Sequence, residues 1–428
     1  MKHTRHILPV LALILLIIVL YGQNLSSALI LADDVIAVSF ASAHGPLDGF
    51  LGAANEELYY SGRFYRPLFV TQAWTLYQMF GVRYAGYQAT IIALHAMTVT
   101  LAYVAFLRIN GNRLIAFLIA GLFITDRIVA DLVIWVSDSA NVLVLLAFIV
   151  LLLLTFRHRP RWWYLALFVT LAAAPFMREN GVILLAAVFI YALAQKQPRL
   201  AVLPVVAGLP YLFLRLWAFG LVPSDPPFSE TGFLFWLLNR QEVAALNGFE
   251  HLMLAAYIAI ANVTAVFAPM FTQFGSIRPD RLSFDLLLKL FVHAGLSFVM
   301  LRVLFHRRRD LSHQHRVLII FAMALIVVNC LLVFTYFRYR NLNIALIGWS
   351  VLLAVAVPLY RTRRSRLVVT GLLIALLTVN SLILSARLPW PALDPAGPTA
   401  ITTLCDERIR ADVAHQIARE YAVNLTCK

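Results

Sequence analysis

Short polar segments interrupt the long apolar stretches of this 428-residue chain, and the first of them is an adjacent acid pair, Asp33-Asp34. The pair directly follows an apolar segment, where a carboxylate is costly unless it has a partner or a function. Because two adjacent carboxylates repel each other, one of them can become a usable general base, or both can bind a cation. The alternative is a pair of loop acids that reach into water, and the pair alone does not decide between them.

A second polar segment begins the next apolar stretch and reads Tyr65-Arg66-Pro67-Leu68. Proline is favoured in the first turn of a helix, so Pro67 predicts a helix start there. The guanidinium of Arg66 could donate two hydrogen bonds to a phosphate or a carboxylate. The simpler interpretation is an arginine whose charged end extends to the membrane surface.

Two more segments carry arginine beside other polar residues. Arg178 and Glu179 separate two apolar runs, and they could hold an anionic substrate or simply pair with each other or with solvent. Farther along the chain, Arg338, Tyr339 and Arg340 alternate basic and aromatic side chains. A guanidinium suits a phosphate or diphosphate brought by a lipid, and the alternative partner of these arginines is the phospholipid head group.

Asp131, Trp135 and Asp138 lie in a short turn between two apolar segments. On a helix, Asp131 and Trp135 would be neighbours four residues apart, with Asp138 one turn beyond. The three side chains could then form a polar wall with an aromatic platform for a sugar. An aromatic belt at the membrane surface with acids facing water explains them equally well.

The composition is that of a protein built into a membrane. The chain is 61% hydrophobic and 13% charged, against roughly 45–50% and about 25% in soluble domains, and its mean hydropathy is +0.82. These values exclude a disordered chain, a soluble enzyme and a disulfide-stapled secreted scaffold. The net charge of +14 does not indicate a nucleic-acid partner, because most basic residues lie in short runs between apolar segments. We therefore predict an all-α, polytopic integral membrane protein.

A membrane-spanning helix needs about 20 mostly apolar residues, and about eleven spans are predicted on this basis. They are Ile7–Tyr21, Tyr84–Leu107, Leu114–Phe123 with the residues just after it, Ala140–Phe156, Trp162–Phe176, Val182–Ala194, Leu200–Phe219, Leu286–Phe305, Val317–Tyr336, Ile344–Tyr360 and Leu367–Leu384. The stretch Leu252–Phe271 is also apolar, but a full crossing there would place the basic runs His306–Arg316 and Arg361–Arg366 outside. We therefore predict that it is re-entrant or interfacial.

The basic runs set the orientation, because Lys and Arg concentrate in cytoplasmic loops. This rule predicts a cytoplasmic N-terminus and an extracytoplasmic C-terminal tail, in a bacterial inner or plasma membrane. All the polar segments described above then face outward. For the first span, the alternative is a signal peptide over Ile7–Leu20 that is cleaved, which leaves the residues after it on the same side.

The chain has three cysteines. Cys330 lies inside an apolar run and is expected to be packed and inert. Cys405 and Cys427 flank the tail, where an oxidising compartment would let them pair, the alternative being two free thiols. No histidine spacing typical of a metal site and no Gly-rich phosphate loop occur in the sequence.

Taken together, the polar segments resemble the GT-C superfamily of polyprenyl-phosphate-sugar-dependent glycosyltransferases, in particular its protein O-mannosyltransferase and TMTC-like branches. In family order, they are an acidic pair after the first span, a YRPL element, an acidic segment between the third and fourth spans and a basic–Glu–x–Gly element. These are Asp33-Asp34, Tyr65–Leu68, Asp131–Asp138 and Arg178–Gly181. The outer Arg338-Tyr339 also looks like an Arg-Tyr placed near the donor phosphate in related enzymes.

The resemblance implies a membrane glycosyltransferase that moves a hexose or pentose from a polyprenyl-phosphate donor to an acceptor hydroxyl outside the membrane, with inversion. Asp33 would be the base, and Asp34 would orient it or hold the acceptor or a cation such as Mg²⁺ or Mn²⁺. Arg66, Arg178, Arg338 and Arg340 would bind the donor phosphate, and the remaining candidates would contact substrate: Tyr65, Asp131, Trp135, Asp138, Glu179 and Tyr339. The acceptor could be a lipid, a glycan or a protein, with membrane lipids around the chain.

The same resemblance divides the chain into three parts. Residues 1–195 would form the GT-C-type transmembrane module with a catalytic first outer loop at 22–67. Residues 196–386 would form a variable transmembrane module with an outer loop at 221–285, and residues 387–428 the extracytoplasmic tail. Two rival functions remain: a transporter or flippase of a lipid-linked or anionic solute, and a non-catalytic subunit that binds lipid head groups.

Overall fold

The computed structural model describes residues 4–26, 32–51, 58, 64–155, 161–220, 245–268, 284–332, 342–386, 405 and 409–420. Helices make up 89% of these residues, and no strand occurs among them. The all-α prediction is therefore confirmed. The predicted sites Arg338, Tyr339, Arg340 and Cys427 lie outside the described residues.

Sixteen α-helices can be followed through the described ranges. They are α1 Thr4–Tyr21, α2 Ala32–Ala43, α3 Pro67–Phe80, α4 Tyr84–Asn110, α5 Arg113–Thr125, α6 Arg127–Ile134, α7 Ser139–Thr155, α8 Arg161–Met177, α9 Val182–Ala194, α10 Pro198–Phe219, α11 Gly248–Phe267, α12 Phe284–His306, α13 His313–Leu332, α14 Asn343–Ala356, α15 Arg363–Ser385 and α16 Ala411–Glu420. Short 3₁₀ turns join some of them, including Val136–Asp138 and Glu179–Gly181.

Among the described residues, eight helices are long and apolar enough to cross a membrane: Ile7–Ser26, Tyr84–Asn110, Val136–Leu154, Pro198–Phe219, Gly248–Phe267, Phe284–His306, His313–Leu331 and Arg363–Ser385. Four shorter apolar helices accompany them: Arg113–Thr125, Trp162–Met177, Glu179–Ala194 and Asn343–Leu359. Each of the eleven segments predicted from the sequence overlaps one of these helices. An integral membrane protein is thus supported, while the number of crossings stays a prediction.

The apolar side chains divide between a packed interior and an outer surface that water would not tolerate. Trp163, Trp349 and Phe148 are fully buried in one continuous core, whereas Leu8 is 74% exposed and Phe213 69% exposed. A soluble protein of this size would not leave so many large apolar side chains on its surface. Hydrocarbon chains of a bilayer can cover them instead.

Direct contacts sort the helix ends into two sets. Tyr21 of α1 donates its hydroxyl hydrogen bond to Ile124 of α5, and Tyr84 at the start of α4 donates to Ile134 of α6. At the opposite end, His313 contacts Gln195, and Arg361 binds Asp310. We call the first set the site end and the second the basic end, because exposed basic residues gather at the latter: Arg108, Arg113, Lys196, Arg199, Arg307, Arg308, Arg309, Arg361, Arg363, Arg364 and Arg366.

Three short helices cap the site end without being candidate spans: α2, α3 and α6. The tail helix α16 packs on α2, and the backbone N–H of Arg410 donates to Ser39 of α2. Val413 and Ile417 are fully buried in the common core. The predicted first outer loop therefore contains a helix, α2, which the tail holds from outside.

Helix α11 corresponds to the predicted re-entrant segment. Near its C-terminal end, the carbonyl of Val266 lies 2.9 Å from Nε2 of His293, nine residues into α12. His293 in turn stacks on Trp349 of α14 at 4.6 Å between ring centroids. This end of α11 thus lies at the depth of His293 inside the bundle. The helix is also one of the eight apolar helices of sufficient length, so its re-entrant path stays a prediction.

Candidate active site

Helix α2 carries the acid pair, and its two members have opposite environments. The side chain of Asp33 is exposed, whereas Asp34 is fully buried. Both acids lie in the first turn of α2, where a negative charge is favoured by the helix dipole. Of the two, only Asp33 is open to a substrate, as a general base must be.

The buried Asp34 is anchored to a turn on another part of the chain. One carboxylate oxygen accepts a hydrogen bond from the backbone N–H of Ser137 at 2.7 Å, and the other accepts from the N–H of Val136 at 3.3 Å. Burial raises the pKa of Asp34 to about 8, and the nearby charge of Asp33 adds to the increase, while the two backbone donors oppose it. Asp34 therefore fixes the position of α2 rather than meeting solvent.

The turn Val136–Asp138 is itself held on its other side. The carbonyl of Ile134, just before it, accepts hydrogen bonds from the Tyr84 hydroxyl at 2.8 Å and from the Gln88 amide at 2.6 Å. Gln72 of α3 donates to Ser139, which comes directly after the turn, at 2.8 Å. Together with α2, which carries Asp34, the helices α3 and α4 thus fix this turn in place.

Asp138, the last residue of the turn, forms a buried ion pair with Arg178. The guanidinium Nη1 contacts the Oδ1 atom of Asp138, and the side chains of Arg178 and Asp138 are only 12% and 6% exposed. Beside the pair, Asn180 donates to Asn141 at 3.1 Å. The turn therefore joins the acid helix α2 to the arginine after α8.

Arg66 is bound to Glu179 and does not extend alone to the surface. Its Nε lies 3.0 and 2.9 Å from the two carboxylate oxygens of Glu179, and the backbone N–H of Tyr65 donates to the same carboxylate at 3.0 Å. The guanidinium also lies over the ring of Phe64, 4.3 Å from its centroid. Helix α3 begins at Pro67, as predicted. The neighbours Arg178 and Glu179 thus bind separate partners.

Gly181 allows the loop between α8 and α9 to pass close to the helix before it. A Cβ atom at this position would lie 2.6 Å from the backbone nitrogen of Pro175 and closer still to the carbonyl of Ala174. The backbone angles of Gly181 are ordinary for any residue. The glycine is therefore required by space, which gives a physical reason for the fourth motif.

Tyr65 lies in a closed aromatic cluster instead of on an open surface. It is fully buried against Phe176, Tyr211 and Phe219, and its hydroxyl donates to the carbonyl of Phe50 at 3.1 Å. Burial raises its pKa to about 12. The structure thus gives Tyr65 a packing role that holds the chain before Arg66.

Asp131 and Trp135 are not on one continuous helix, so the condition for the predicted polar wall is not met. Helix α6 ends at Ile134, and Trp135 has an extended backbone with φ −99° and ψ 115°. Asp131 is buried and lies 3.8 Å from Arg127 on its own helix. Asp131 and Asp138 consequently contact different arginines.

Sequence reasoning missed a second buried ion pair near the site. Lys289 of α12 and Asp126 are 5% and 2% exposed, and their charged atoms lie 3.4 Å apart. A lysine within an otherwise apolar span was the available signal, because such a residue normally has a specific partner. Its partner, however, is 163 residues away along the chain.

The predicted cation between Asp33 and Asp34 does not fit the geometry. Each oxygen of Asp34 accepts from a backbone N–H inside the bundle, while Asp33 is exposed, so the two carboxylates do not face one ion. Among the described residues, no group of three or more His, Cys, Asp or Glu could hold a metal.

Cys405, one member of the predicted disulfide, is disulfide-bonded. Cys330 is a free, buried thiol.

No protein-family model matches the chain, and no curated protein or solved structure matches it either. The resemblance to GT-C enzymes therefore depends on the sequence motifs alone.

Proposed function

We propose that the protein is a membrane glycosyltransferase that moves a sugar from a polyprenyl-phosphate donor to an acceptor hydroxyl. The observation that carries this proposal is the convergence of separate polar segments on one end of the bundle. Asp34 binds the turn that holds Asp138, Asp138 binds Arg178, and the next residue, Glu179, binds Arg66. A membrane protein maintains such buried charges at a cost, which favours a functional role.

We propose that this site faces the extracytoplasmic side. Two independent features support the orientation. Exposed arginines gather at the opposite end of the bundle, as the positive-inside rule requires of a cytoplasmic end. The tail that packs on α2 also contains the disulfide-bonded Cys405, and disulfides persist in oxidising compartments.

In the proposed reaction, Asp33 takes the proton of the acceptor hydroxyl while the oxygen of that hydroxyl attacks the anomeric carbon. The bond between that carbon and the phosphate oxygen breaks, and polyprenyl phosphate leaves with the electron pair and an added negative charge. Arg178 and Arg66 stabilise this charge, which is the usual role of a fixed guanidinium beside a leaving group. Asp138 and Glu179 hold the two guanidiniums in place, and a single displacement inverts the anomeric carbon.

The test is transfer by the purified full-length protein in proteoliposomes. Radiolabelled polyprenyl-phosphate mannose and a panel of other hexose and pentose donors are supplied with an extract of envelope glycolipids and glycans. We expect release of polyprenyl phosphate and a labelled glycosidic product from one donor, with Arg361→Gln at the basic end as an active control. Donor movement across the bilayer without a glycosidic bond would identify a flippase instead, and binding without turnover a non-catalytic subunit.

A further inference from the structure

We infer that Lys289 positions the active site from a distance, by holding the helix that leads into the turn between Asp34 and Arg178. The inference rests on the proposed function for its activity readout. Lys289 lies on α12, in the part of the chain predicted to be variable, whereas the site residues belong to the N-terminal module. Its ion pair with Asp126 links the two parts.

Asp126 is the joint between two helices, and its carboxylate performs two tasks. Its backbone N–H closes α5 by donating to Leu122, and its Oδ1 accepts from the N–H of Ile128 in the first turn of α6. The other oxygen, Oδ2, faces Nζ of Lys289 at 3.4 Å. Since one carboxylate both caps α6 and pairs with the lysine, the start of α6 is fixed relative to α12.

Helix α6 transmits this position to the active site over a short distance. It is eight residues long and ends at Ile134, whose carbonyl is held by Tyr84 and Gln88. The turn that binds Asp34 and Arg178 comes directly after it. A change at the start of α6 therefore moves or loosens the turn at its end.

Helix α12 is suited to act as the fixed side of this contact, because one face of it is bonded to several neighbours. Lys289, His293 and Ser297 follow each other at four-residue spacing, which places them on the same face. His293 contacts Val266 of α11, and Ser297 accepts a hydrogen bond from the indole of Trp349 at 3.0 Å. The lysine thus extends from a helix that is braced along its length.

The two residues permit a test in which a structural defect can be made and then repaired. In Lys289→Met the Asp126 carboxylate is buried without its ammonium partner, and a buried charge that loses its partner is strongly destabilising. In Asp126→Asn the side chain still caps α6, because asparagine and aspartate are equally good caps. The double variant has neither charge but keeps the cap, so we expect it to restore the position of α6.

The first readout is the initial rate of transfer over a range of donor concentrations, which gives kcat and KM separately. We expect Lys289→Met to lower kcat by about tenfold or more, in line with positioning shells of other sites, with little change in KM. The kcat of the double variant Lys289→Met/Asp126→Asn is expected to lie within about threefold of wild type, because the two substitutions remove both charges of one coupled pair. Lys196→Met, which removes an exposed lysine at the basic end, is the matched control. A double variant no more active than Lys289→Met would overturn the inference.

The second readout does not depend on the reaction. Ser137→Cys, in the turn itself, is added to each background and labelled with a maleimide, and the labelled peptide is quantified by mass spectrometry. We expect faster labelling in Lys289→Met and a return to the wild-type rate in the double variant. Equal rates in all backgrounds would refute positioning of the turn by Lys289. If the wild type transfers no sugar but the labelling shows this pattern, the proposed function fails and the positioning role stands.

Discussion

The carboxylate of Asp34 lies 2.7 Å from the backbone nitrogen of Ser137, and the next residue, Asp138, binds Arg178. A turn of three residues therefore connects Asp34 on α2 with Arg178, which follows α8, although the two residues are 144 positions apart in the sequence (178 minus 34). The adjacent Asp33 is exposed on the same helix. Anchoring by one acid leaves the other in a fixed place where it can act on a substrate.

Replacing the two adjacent acids should separate catalysis from structure. We expect Asp33→Asn to lower turnover at least about tenfold, the low side of the contribution of a general base, with the melting temperature unchanged because Asp33 is exposed. Asp34→Ala should lower the melting temperature, since it leaves two buried N–H groups without acceptors at about 1–3 kcal/mol each. Thermal unfolding and initial rates on both variants provide the comparison. Near-normal transfer by Asp33→Asn would remove Asp33 from the mechanism.

The buried Asp34 should also make stability depend on pH. Its pKa is raised from 3.8 to about 8 in the folded protein, so between these values the unfolded chain is ionised while the folded one retains the proton. Unfolding then releases a proton, and the contribution of Asp34 to stability is present below about pH 4 and is lost as the pH rises towards 8. We expect a smaller fall in melting temperature over this range in Asp34→Asn. Parallel pH curves for the two proteins would contradict this.

The buried pair of Arg178 and Asp138 should show strong energetic coupling. We expect Arg178→Gln to destabilise the fold by about 3–5 kcal/mol, because it leaves the Asp138 carboxylate buried without its cation. Adding Asp138→Asn should recover much of that stability while transfer stays low, since the phosphate still lacks its guanidinium. Denaturant unfolding of the single and double variants measures the coupling. The exposed pair of Arg361 and Asp310, worth about 0–1 kcal/mol at most, is the control.

The class of fold could be predicted because it depends on composition and on segment length, which a bilayer constrains tightly. Each of the predicted spans overlaps an apolar helix. The residues of the candidate site that the structure brings together, namely the acid pair, Arg66, Asp138, Arg178 and Glu179, are among those that residue type and position single out. What the sequence could not specify was which of these side chains meet.

The separate partners of Arg178 and Glu179 illustrate the limit. Arg178 has an extended backbone, with φ −162° and ψ 149°, which directs successive side chains to opposite sides. Consequently Arg178 meets Asp138 while Glu179 meets Arg66. The end of α6 at Ile134 could not be predicted either, because no glycine or proline marks it in the sequence. The ion pair of Lys289 could not be predicted from a local pattern, because its partner Asp126 is 163 residues away along the chain.

The contact between Glu179 and Arg66 decides between two interpretations of that arginine. If Glu179 positions Arg66 for the donor phosphate, Glu179→Gln should raise KM for the lipid donor about tenfold, because hydrogen bonds between charged groups contribute about 1.5–3 kcal/mol. If the pair of Arg66 and Glu179 only holds the chain in place, KM should not change. The amide oxygen can still accept from the N–H of Tyr65, so the fold should remain intact. Arg83→Gln, which removes an exposed arginine paired with Glu420, is the matched control.

The close approach at Gly181 makes a single methyl group a sensitive probe of the loop that carries Arg178. Alanine there would place its Cβ 2.6 Å from the nitrogen of Pro175, and backbone atoms cannot move aside as a flexible side chain can. We expect Gly181→Ala to shift the loop and to lower both melting temperature and transfer. Gly371→Ala in α15, where a Cβ would meet nothing within 4 Å, should be neutral or slightly stabilising because alanine favours helix. Equal melting temperatures and equal initial rates for the two variants would contradict the steric clash expected at Gly181.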